Sequence, residues 1–347
     1  MIKAGIVGAT GYAGQELLRL LTQHPECEVK YITSRSYVDQ SYSTIFGNFV
    51  TIVDDLCIEK EMIELAKQVD VLFIALPHGI ASANVNKELL SMTKVIDLGA
   101  DYRLEDIEIY DHWYKTAHNS SELLEEAVYG LCELKREKIK TARLIANPGC
   151  YTTCSILSLT PLLKEGLIDE KSIIIDAKSG VSGAGRGLDI GVHYAECNES
   201  MKAYKLAAHR HTPEIEQELS LAAGDKVTVT FTPHLVPMNR GILTTAYATL
   251  KDSTTYENIR MAYEKYYKDE YFVRLLPEGV YPETRWVKGS NFCDINFKVD
   301  ERTNRIIVIA AIDNLVKGAA GQAVQNMNIL LGINEKMGLE YIPMFPA

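Results

Sequence analysis

Apolar runs alternate with amphipathic stretches along the first half of the chain, and this alternation predicts strands and helices in turn. The short apolar run Ile2–Val7 predicts a strand, and residues 15–23 predict a helix that ends before Pro25. The run at 70–76 is almost purely apolar, as is typical of a parallel strand buried on both faces. Other predicted elements are a helix at 61–69 and strands at 29–33, 94–98 and 143–146. Together they indicate a doubly wound α/β domain with a parallel sheet.

The regular alternation ends after Gly166, and the second half follows a different pattern. Its short β-branched or alternating runs predict strands without regular intervening helices. These strands are predicted at 172–177, 227–232, 242–250, 292–299 and 306–312, and helices at 151–164, Tyr256–Tyr267 and 315–331. The pattern indicates an α+β domain whose mostly antiparallel or mixed sheet carries helices on one face. We therefore expect one domain at residues 1–149, completed by 314–347, and a second at 150–313.

Composition narrows the class of protein. The 347 residues are 47% hydrophobic and 24% charged, which is ordinary for a soluble globular chain. A net charge of -10 argues against a nucleic-acid surface, and no apolar run reaches the ~20 residues that span a bilayer. The chain starts directly in a strand pattern, and its seven cysteines show no CxxC pair or zinc spacing. We expect a cytoplasmic protein with free thiols, no metal, and neither nucleic-acid nor membrane partners.

A glycine-rich turn follows the first predicted strand. Residues 8–14 have the spacing GxxGxxG and lead into a helix. In a βαβ unit such glycines allow a tight turn, close approach of a pyrophosphate and close helix–strand packing. The alternative is a glycine-rich turn in some other α/β domain. The interpretation as a Rossmann dinucleotide site makes the following residues cofactor-binding: Gly8, Thr10, Gly11, Tyr12, Ala13 and Gly14.

The end of the second strand indicates which dinucleotide would bind. About 20 residues past the glycines an NAD site carries an acid for the ribose 2′-hydroxyl, whereas this chain has Ser34, Arg35 and Ser36. A guanidinium with two hydroxyls suits a 2′-phosphate, which an acid would repel. We therefore predict NADP rather than NAD. The alternative is that Arg35 is an ordinary surface arginine.

Two later loops follow predicted strands, at the sheet edge where ligands bind in such folds. Pro77 and His78 follow the apolar strand at 70–76, and we expect them to touch the cofactor. Arg103 follows the strand at 94–98 and is predicted to hold an anionic ligand. The alternative for Arg103 is a surface ion pair with Asp106.

A cysteine lies where a predicted strand turns into a predicted helix, in the sequence Asn147-Pro148-Gly149-Cys150-Tyr151. Cys150 is thus at or just before a helix N-terminus, where unpaired N–H groups and the helix dipole favour negative charge. A thiolate is such a charge, so we expect a lowered thiol pKa and a usable nucleophile. The alternative is a small buried core residue.

Two histidines precede a predicted helix that has Thr212 as N-cap and Pro213 at its first position. His209 and His211 suit proton transfer with a thiolate near neutral pH. The alternative is a capping loop whose imidazoles bond to the backbone. Before them, a glycine-rich loop at 178–187 either offers donors to an anion or is a mobile linker.

Several segments occur in the order of a known family. Residues 8–14, 34–36, 147–151, 209–215 and 314–320 together resemble the N-acetyl-gamma-glutamyl-phosphate reductases of arginine biosynthesis. The resemblance covers nearly the whole chain. The cysteine and histidine segments are its most specific parts.

The resemblance implies a semialdehyde-dehydrogenase-type fold and NADPH-dependent reduction of N-acetyl-L-glutamyl 5-phosphate through a thioester on Cys150, with release of phosphate. One of His209 and His211 would be the acid–base; His209 is preferred and His211 stays open. It also implies a homo-oligomer, a dimer or tetramer, formed through the sheet of the second domain. Implied cofactor contacts are Ser182, Gly183 and Asn314, and implied substrate contacts are Arg103, Asn147, Ser179 and Arg240.

Other functions stay open at this point. Aspartate-semialdehyde dehydrogenase shares the folds, cofactor and thiol chemistry, but that family places its histidine differently. A paralogue acting on the aminoadipate analogue differs by one methylene, which is worth only ~1–3 kcal/mol of discrimination. An NADP-binding sensor without chemistry would bind nucleotide but show no activity that thiol alkylation abolishes.

Overall fold

The protein, described here by a computed structural model over residues 1–252 and 254–346, divides into two compact units. The first comprises Met1–Pro148 and Ala320–Leu339, and the second comprises Gly149–Ala319 and Glu340–Ala347. The sequence predicted that residues 314–347 would complete the first domain as a block. In the structure only residues 320–339 of this segment belong to the first unit, and the rest belongs to the second. No helix within the described ranges is long and apolar enough to cross a bilayer.

The first unit is built on a parallel sheet. Its strands are β1 (Ile2–Val7), β2 (Cys27–Thr33), β3 (Val71–Ile74), β4 (Lys94–Asp97), β5 (Val128–Tyr129) and β6 (Leu144–Ala146). Its helices are α1 (Tyr12–Thr22), α2 (Tyr42–Ile45), α3 (Met62–Ala66), α4 (Ile80–Asn84), α5 (Lys87–Met92), α6 (Ile107–Tyr114) and α7 (Cys132–Ile139), with 3₁₀ turns at Gly47–Phe49 and Ser121–Leu123. The strand order is β2-β1-β3-β4-β6-β5, and every pair in it is parallel.

This sheet confirms the predicted Rossmann-type domain. All residues of β3 are buried, as expected for a central parallel strand covered on both faces. The predicted helix at 15–23 begins earlier, at Tyr12, because Gly11 takes an extended N-cap conformation directly before it. The short strand β5 has too few residues to give a period in the sequence and was not predicted.

The second unit holds a mixed sheet. Its strands are β7 (Ile174–Gly180), β8 (Lys202–Ala203), β9 (Thr230–Val236), β10 (Ile242–Thr249), β11 (Val273–Leu275), β12 (Cys293–Asp300) and β13 (Arg305–Ile312). Its helices are α8 (Cys150–Lys164), α9 (Tyr194–Cys197), α10 (Thr212–Ala223) and α11 (Tyr256–Tyr267), with 3₁₀ turns at Val181–Ala184, Ile190–Val192 and Thr284–Trp286. The order is β11-β12-β13-β10-β7-β9-β8; β7/β9 and β11/β12 pair in parallel and the other neighbours are antiparallel.

The predicted boundary between strand and loop at Lys178 was wrong. Strand β7 continues to Gly180, because it pairs with β10 on one side and β9 on the other through Ser179. The ammonium of Lys178 lies 3.0 Å from the carboxylate of Asp176 on the same strand. Lys178 therefore belongs to the sheet and not to a mobile anion-binding loop.

The predicted helix at 315–331 is confirmed over residues 316–330, but its first turn is π-helical and not α-helical. The chain makes a π-helical turn at Val316–Ala320 before the α-helix α12 (Gly321–Leu330), which belongs to the first unit. Within the turn, Gly318 N donates to the carbonyl of Asp313, five residues earlier, at 3.0 Å. The Asp313 carboxylate accepts from Leu315 N and Val316 N as well, so this side chain stabilises the wider turn.

Candidate active site

The glycine turn of the first unit has the geometry that a dinucleotide site needs. Gly8 has φ +86°, and a Cβ there would lie 2.5 Å from the Ala75 carbonyl. A Cβ on Gly14 would lie 2.3 Å from the Gly8 carbonyl, so only glycine allows α1 to approach the turn this closely. At Gly11, directly before α1, an added Cβ would clash with nothing, since its nearest neighbour would be the Gly8 carbonyl at 3.8 Å. The turn thus presents backbone to an approaching group.

Two of the three predicted 2′-phosphate residues, Ser34 and Arg35, line a pocket at the C-terminal edge of this sheet, whereas Ser36 is not among its lining residues. Ser34 is buried and its hydroxyl lies 2.9 Å from that of Thr10, while the Arg35 side chain is 79% exposed. Arg35 pairs loosely with Glu59 at 3.9 Å. Lys60 lines the same pocket and adds a second cation that the sequence analysis missed, since nothing in the sequence links it to Arg35.

The loop after β3 is fixed by a buried carboxylate. Asp101 accepts from Gly79 N at 2.7 Å and from Ser82 N at 2.8 Å, which caps α4. Pro77 and His78 precede this cap, and the His78 ring contacts that of Tyr114 at 5.3 Å. The loop is therefore held in one conformation at the edge where we predicted a cofactor contact.

Arg103 is buried and does not form the surface pair with Asp106 that was its alternative. Its guanidinium donates to the carbonyls of Asn147, at 2.8 Å, and Leu98, at 2.9 Å. Asp106 instead caps α6. The Asn147 amide is also buried and accepts from Asn326 at 3.1 Å. Both predicted substrate residues therefore brace the segment that leads to the cysteine.

In the second unit Cys150 is the first residue of α8, with Gly149 as an extended N-cap. This confirms the predicted position at a helix N-terminus. Cys150 is partly exposed, unlike Cys154 one turn later, which is buried. Gly318 packs directly on it, since a Cβ there would lie 2.7 Å from the Cys150 Cβ. The alternative, a buried core thiol, is therefore wrong for Cys150.

The two histidines form a cluster with the residue that follows the cysteine. The His209 ring lies 4.8 Å from that of His211 and 5.5 Å from that of Tyr151. Tyr204 and Phe231 complete the enclosure of His209. Helix α10 starts at Thr212, one residue earlier than predicted, so His211 and not Thr212 is its N-cap, and the side chain of this cap residue makes no capping hydrogen bond to the helix.

Hydrogen bonds define the state of His209. Its Nδ1 accepts from His211 N at 3.1 Å, so in the neutral ring the proton is on Nε2, which lies 3.3 Å from the Tyr204 hydroxyl. Burial, followed by the positive charges of His211, Lys205 and Arg210, lowers the pKa of His209 to about 2. His209 is therefore neutral at physiological pH.

Two tyrosine hydroxyls extend the hydrogen bonds of His209. Tyr204 donates to Tyr151 at 3.4 Å, and Tyr151 donates to the His234 carbonyl at 2.9 Å. Burial raises the pKa of Tyr204 to about 12, and the negative charge of Cys150 adds to this effect. Tyr151, the residue after Cys150, thus links the start of α8 to the cluster.

Glu214 is a site residue that the sequence analysis treated only as a first-turn acid. It is fully buried, and its Oε1 accepts from Gly149 N at 2.9 Å and from the Thr152 hydroxyl at 2.8 Å. The sequence shows only that Glu214 follows the histidine pair by one helical turn, and this does not reveal its contacts with α8. The structure shows that it holds the start of α8.

The predicted nicotinamide-end residues lie together. Asn314 accepts from Gly241 N at 2.7 Å and donates to the Ser182 hydroxyl at 3.0 Å. Gly183 lies beside both Ser179 and Asn314. The Arg240 guanidinium lies 3.5 Å from the Asp313 carboxylate.

Within the described residues no cluster of His, Cys, Asp or Glu could hold a metal ion.

Family comparisons cover both units. Residues 3–142 match the NAD binding domain of semialdehyde dehydrogenases, and residues 150–314 match their dimerisation domain. A protein of Lachnoclostridium phytofermentans named N-acetyl-gamma-glutamyl-phosphate reductase is 59% identical over the full length of both chains. The chain belongs to that reductase family. Members from Lachnospira eligens and Campylobacter jejuni are 59% and 56% identical over 100% and 98% of this chain and of their own.

Solved structures support the fold. Aspartate semialdehyde dehydrogenase II of Vibrio cholerae, complexed with ASA, superposes with a TM-score of 0.71 at 18% identity, over 96% of this chain and 98% of that one. The Candida albicans enzyme with NADP gives 0.69 at 18% identity, over 95% and 98%. Family membership makes this chain a nicotinamide-dependent oxidoreductase.

Proposed function

We propose that the chain reduces N-acetyl-L-glutamyl 5-phosphate to N-acetyl-L-glutamate 5-semialdehyde with NADPH and releases inorganic phosphate. The observation that carries this proposal is Cys150 at the first position of α8, followed by Tyr151 whose ring contacts the histidine pair, in a chain that is 59% identical to a named reductase. The sulfur attacks the acyl carbonyl, the C–O bond to phosphate breaks, and a thioester forms. Bound NADPH supplies the hydride that reduces this thioester. Backbone N–H groups at the start of α8 stabilise the oxyanion.

Proton transfer falls to the histidine pair. One of the two imidazoles takes the proton of the thiol and returns it to the sulfur when the semialdehyde leaves. The lowered pKa makes His209 a weaker base than an ordinary imidazole, which keeps His211 open for this role. The His211 ring also contacts the Tyr151 ring, at 6.0 Å. Because both imidazoles lie beside the residue that follows Cys150, each histidine is a candidate for the proton transfer.

We assign NADP rather than NAD to the first unit. Arg35 and Lys60 line one pocket with the buried Ser34, and cations favour a 2′-phosphate. The carboxylate of Glu59 lies 3.9 Å from the Arg35 guanidinium, which is a weak ion pair, so a phosphate can take the place of Glu59 beside Arg35. The cofactor residues we propose are Gly8, Thr10, Gly11, Tyr12, Ala13, Gly14, Ser34, Arg35, Ser36, Pro77, Ser182, Gly183 and Asn314.

We propose that substrate anions are held by guanidinium and small polar groups. Arg240 is half-buried beside Asp313, which orients it. Arg103 is oriented by two backbone carbonyls. Asn147 and Ser179 are the further substrate contacts in this proposal.

We also propose that the chain acts as a homo-oligomer, a dimer or tetramer. Strand β10 and the first part of β13, as far as Ile309, bury alternate residues, and the intervening ones are only partly covered. Leu243, Tyr247, Ile307 and Ile309 lie on that open face, which is more apolar than a solvated face needs to be. The match to a dimerisation domain supports this surface.

Seven cysteines without a disulfide among the described residues fit a reducing, cytoplasmic location.

The reverse reaction tests the function. We expect phosphate-dependent reduction of NADP with N-acetylglutamate semialdehyde and at least about tenfold lower kcat/KM with aspartate semialdehyde or the aminoadipate analogue. A preference for either analogue would reassign the substrate. Nucleotide binding with no turnover of any semialdehyde would instead support the sensor.

A further inference from the structure

One buried carboxylate joins the start of the cysteine helix to the start of the histidine helix. Helices α8 and α10 pack on each other, and Glu214 in the first turn of α10 accepts from Gly149 N and the Thr152 hydroxyl of α8. Gly149 directly precedes Cys150. Glu214 thus ties the start of α8, next to Cys150, to the first turn of α10, which follows the histidine pair.

The charge of Glu214 calls for an explanation beyond these two hydrogen bonds. A neutral acceptor could make both, and a buried carboxylate is costly unless its surroundings stabilise it. Here the N-termini of α8 and α10 both favour a negative charge. The groups that face the cluster are Cys150, Tyr151 and Thr152 on α8, Tyr204, Lys205, His209, Arg210 and His211 before α10, and Phe231 on β9.

We propose that Glu214 is a positioning residue that fixes Cys150 against the histidine pair and whose negative charge retains a proton in the site, shared between the sulfur and the imidazoles. This inference rests on the proposed function only in making Cys150 the nucleophile. The retained proton is the one that the sulfur takes up when the C–S bond breaks and the semialdehyde leaves. In agreement, Glu214 raises the pKa of His209 against the larger effect of burial.

The pH dependence of Cys150 alkylation tests the charge. Iodoacetamide modification of Cys150 is followed by tandem mass spectrometry, in which fragment ions separate Cys150 from Cys154 in the same peptide. In Glu214→Gln the midpoint should move down by about one pH unit, since removing a nearby negative charge lets the thiol ionise more readily. In Glu214→Asp the charge stays, so the midpoint should lie within about 0.3 units of wild type.

Kinetics test the positioning. Glu214→Gln and Glu214→Asp should each lower kcat at least about tenfold and leave KM within about twofold. Glu216→Gln is the matched control, because Glu216 lies on the same helix and also accepts a backbone N–H, that of Val229. This control should keep both the midpoint and kcat.

The outcomes separate the inference from the function. An unchanged midpoint in Glu214→Gln overturns the electrostatic role, and unchanged kcat in both variants overturns the positioning role. Should Glu214→Gln not fold, the midpoint of Glu214→Ala, which also lacks the charge, decides the electrostatic role, and the kcat of Glu214→Asp decides the positioning role. Absence of reductase activity in the wild type would refute the proposed function while alkylation still reports on Glu214.

Discussion

At the residue scale the reactive groups are set by their immediate neighbours. Cys150 is partly exposed at the first position of α8, and Gly318 leaves room for its side chain. His209 is enclosed by aromatic rings and hydrogen-bonded at both nitrogens. These environments make the sulfur accessible and keep the imidazole neutral, which is the pair of states that acyl transfer to a thiol requires.

Replacing the nucleophile should separate chemistry from binding. In Cys150→Ser we expect reductase activity to fall at least about 10³-fold, because a serine hydroxyl is a far weaker nucleophile at neutral pH. NADPH affinity, measured by fluorescence titration, should stay within about twofold. Full activity in this variant would contradict the thioester mechanism.

Charge reversal at Arg35 should alter the choice of cofactor. The side chain is 79% exposed, so Arg35→Glu should fold normally. We expect NADPH affinity to fall at least about tenfold more than NADH affinity, since the new carboxylate repels only the 2′-phosphate. Equal losses in titrations with the two cofactors would show that Arg35 does not contact that group. Glu59→Gln, which removes the partner of Arg35, is the control and should not weaken NADPH.

The low pKa of His209 should appear in the stability of the protein. Its pKa is about 2 when folded against a usual 6.5, so the folded state takes up no proton there while the unfolded chain does. Between pH 6.5 and 2 this group therefore destabilises the fold increasingly as the pH falls, by about 1.4 kcal/mol per pH unit at most.

We expect His209→Gln to lose about 2 kcal/mol less than wild type between pH 7 and pH 5 in urea unfolding. The difference between the two pH values is compared, which removes any constant effect of the substitution on packing. The same pH dependence in both proteins would mean that His209 does not hold its proton in this way.

At the element scale, helix starts and one π-helical turn build the site. The turn at Val316–Ala320 presents Gly318 to the cysteine, and Asp313 stabilises it from within. The neighbouring Asn314 braces the segments that carry Ser182 and Gly241. Each element is short, so its geometry comes from its packing and not from its own propensity.

Gly318→Ala tests the contribution of the turn. The new methyl group would lie 2.7 Å from the Cys150 Cβ, so the cysteine must shift. We expect kcat to fall at least about tenfold, with a lower rate of Cys150 alkylation. Gly47→Ala is the control, because its new methyl group would have nothing within 4 Å and the rate should be unchanged. Wild-type kcat in Gly318→Ala would show that the turn does not position the sulfur.

At the scale of the whole molecule, the open face of the second sheet predicts self-association. A lysine in place of Ile309 puts a charge among Leu243, Tyr247 and Ile307 on that face. Ile309→Lys should reduce the mass in light scattering towards that of one 38.8 kDa chain. Lys87→Glu, at an exposed position on α5 of the first unit, is the control and should leave the mass unchanged. An unaltered oligomer in Ile309→Lys would place the interface elsewhere.

Much of the fold was predictable because it depends on local patterns. Strands β1, β3 and β13 were found from their apolar runs, and Tyr256–Tyr267 was predicted with its observed bounds. The π-helical turn was missed because it depends on the Asp313 carboxylate, which no periodicity reveals. Strand β7 was cut short because Ser179 and Gly180 are extended only through pairing on both sides.

The sequence by itself determined the class of each half, the glycine turn, the helix start at Cys150 and the family, since these follow from short-range patterns and segment order. Only the tertiary structure decided that Glu214 joins two helix starts, that Lys60 shares a pocket with Arg35, and that Arg103 is a buried brace. These are relations between residues 25 to 65 positions apart, and burial and hydrogen bonding across such separations arise only when the chain has packed.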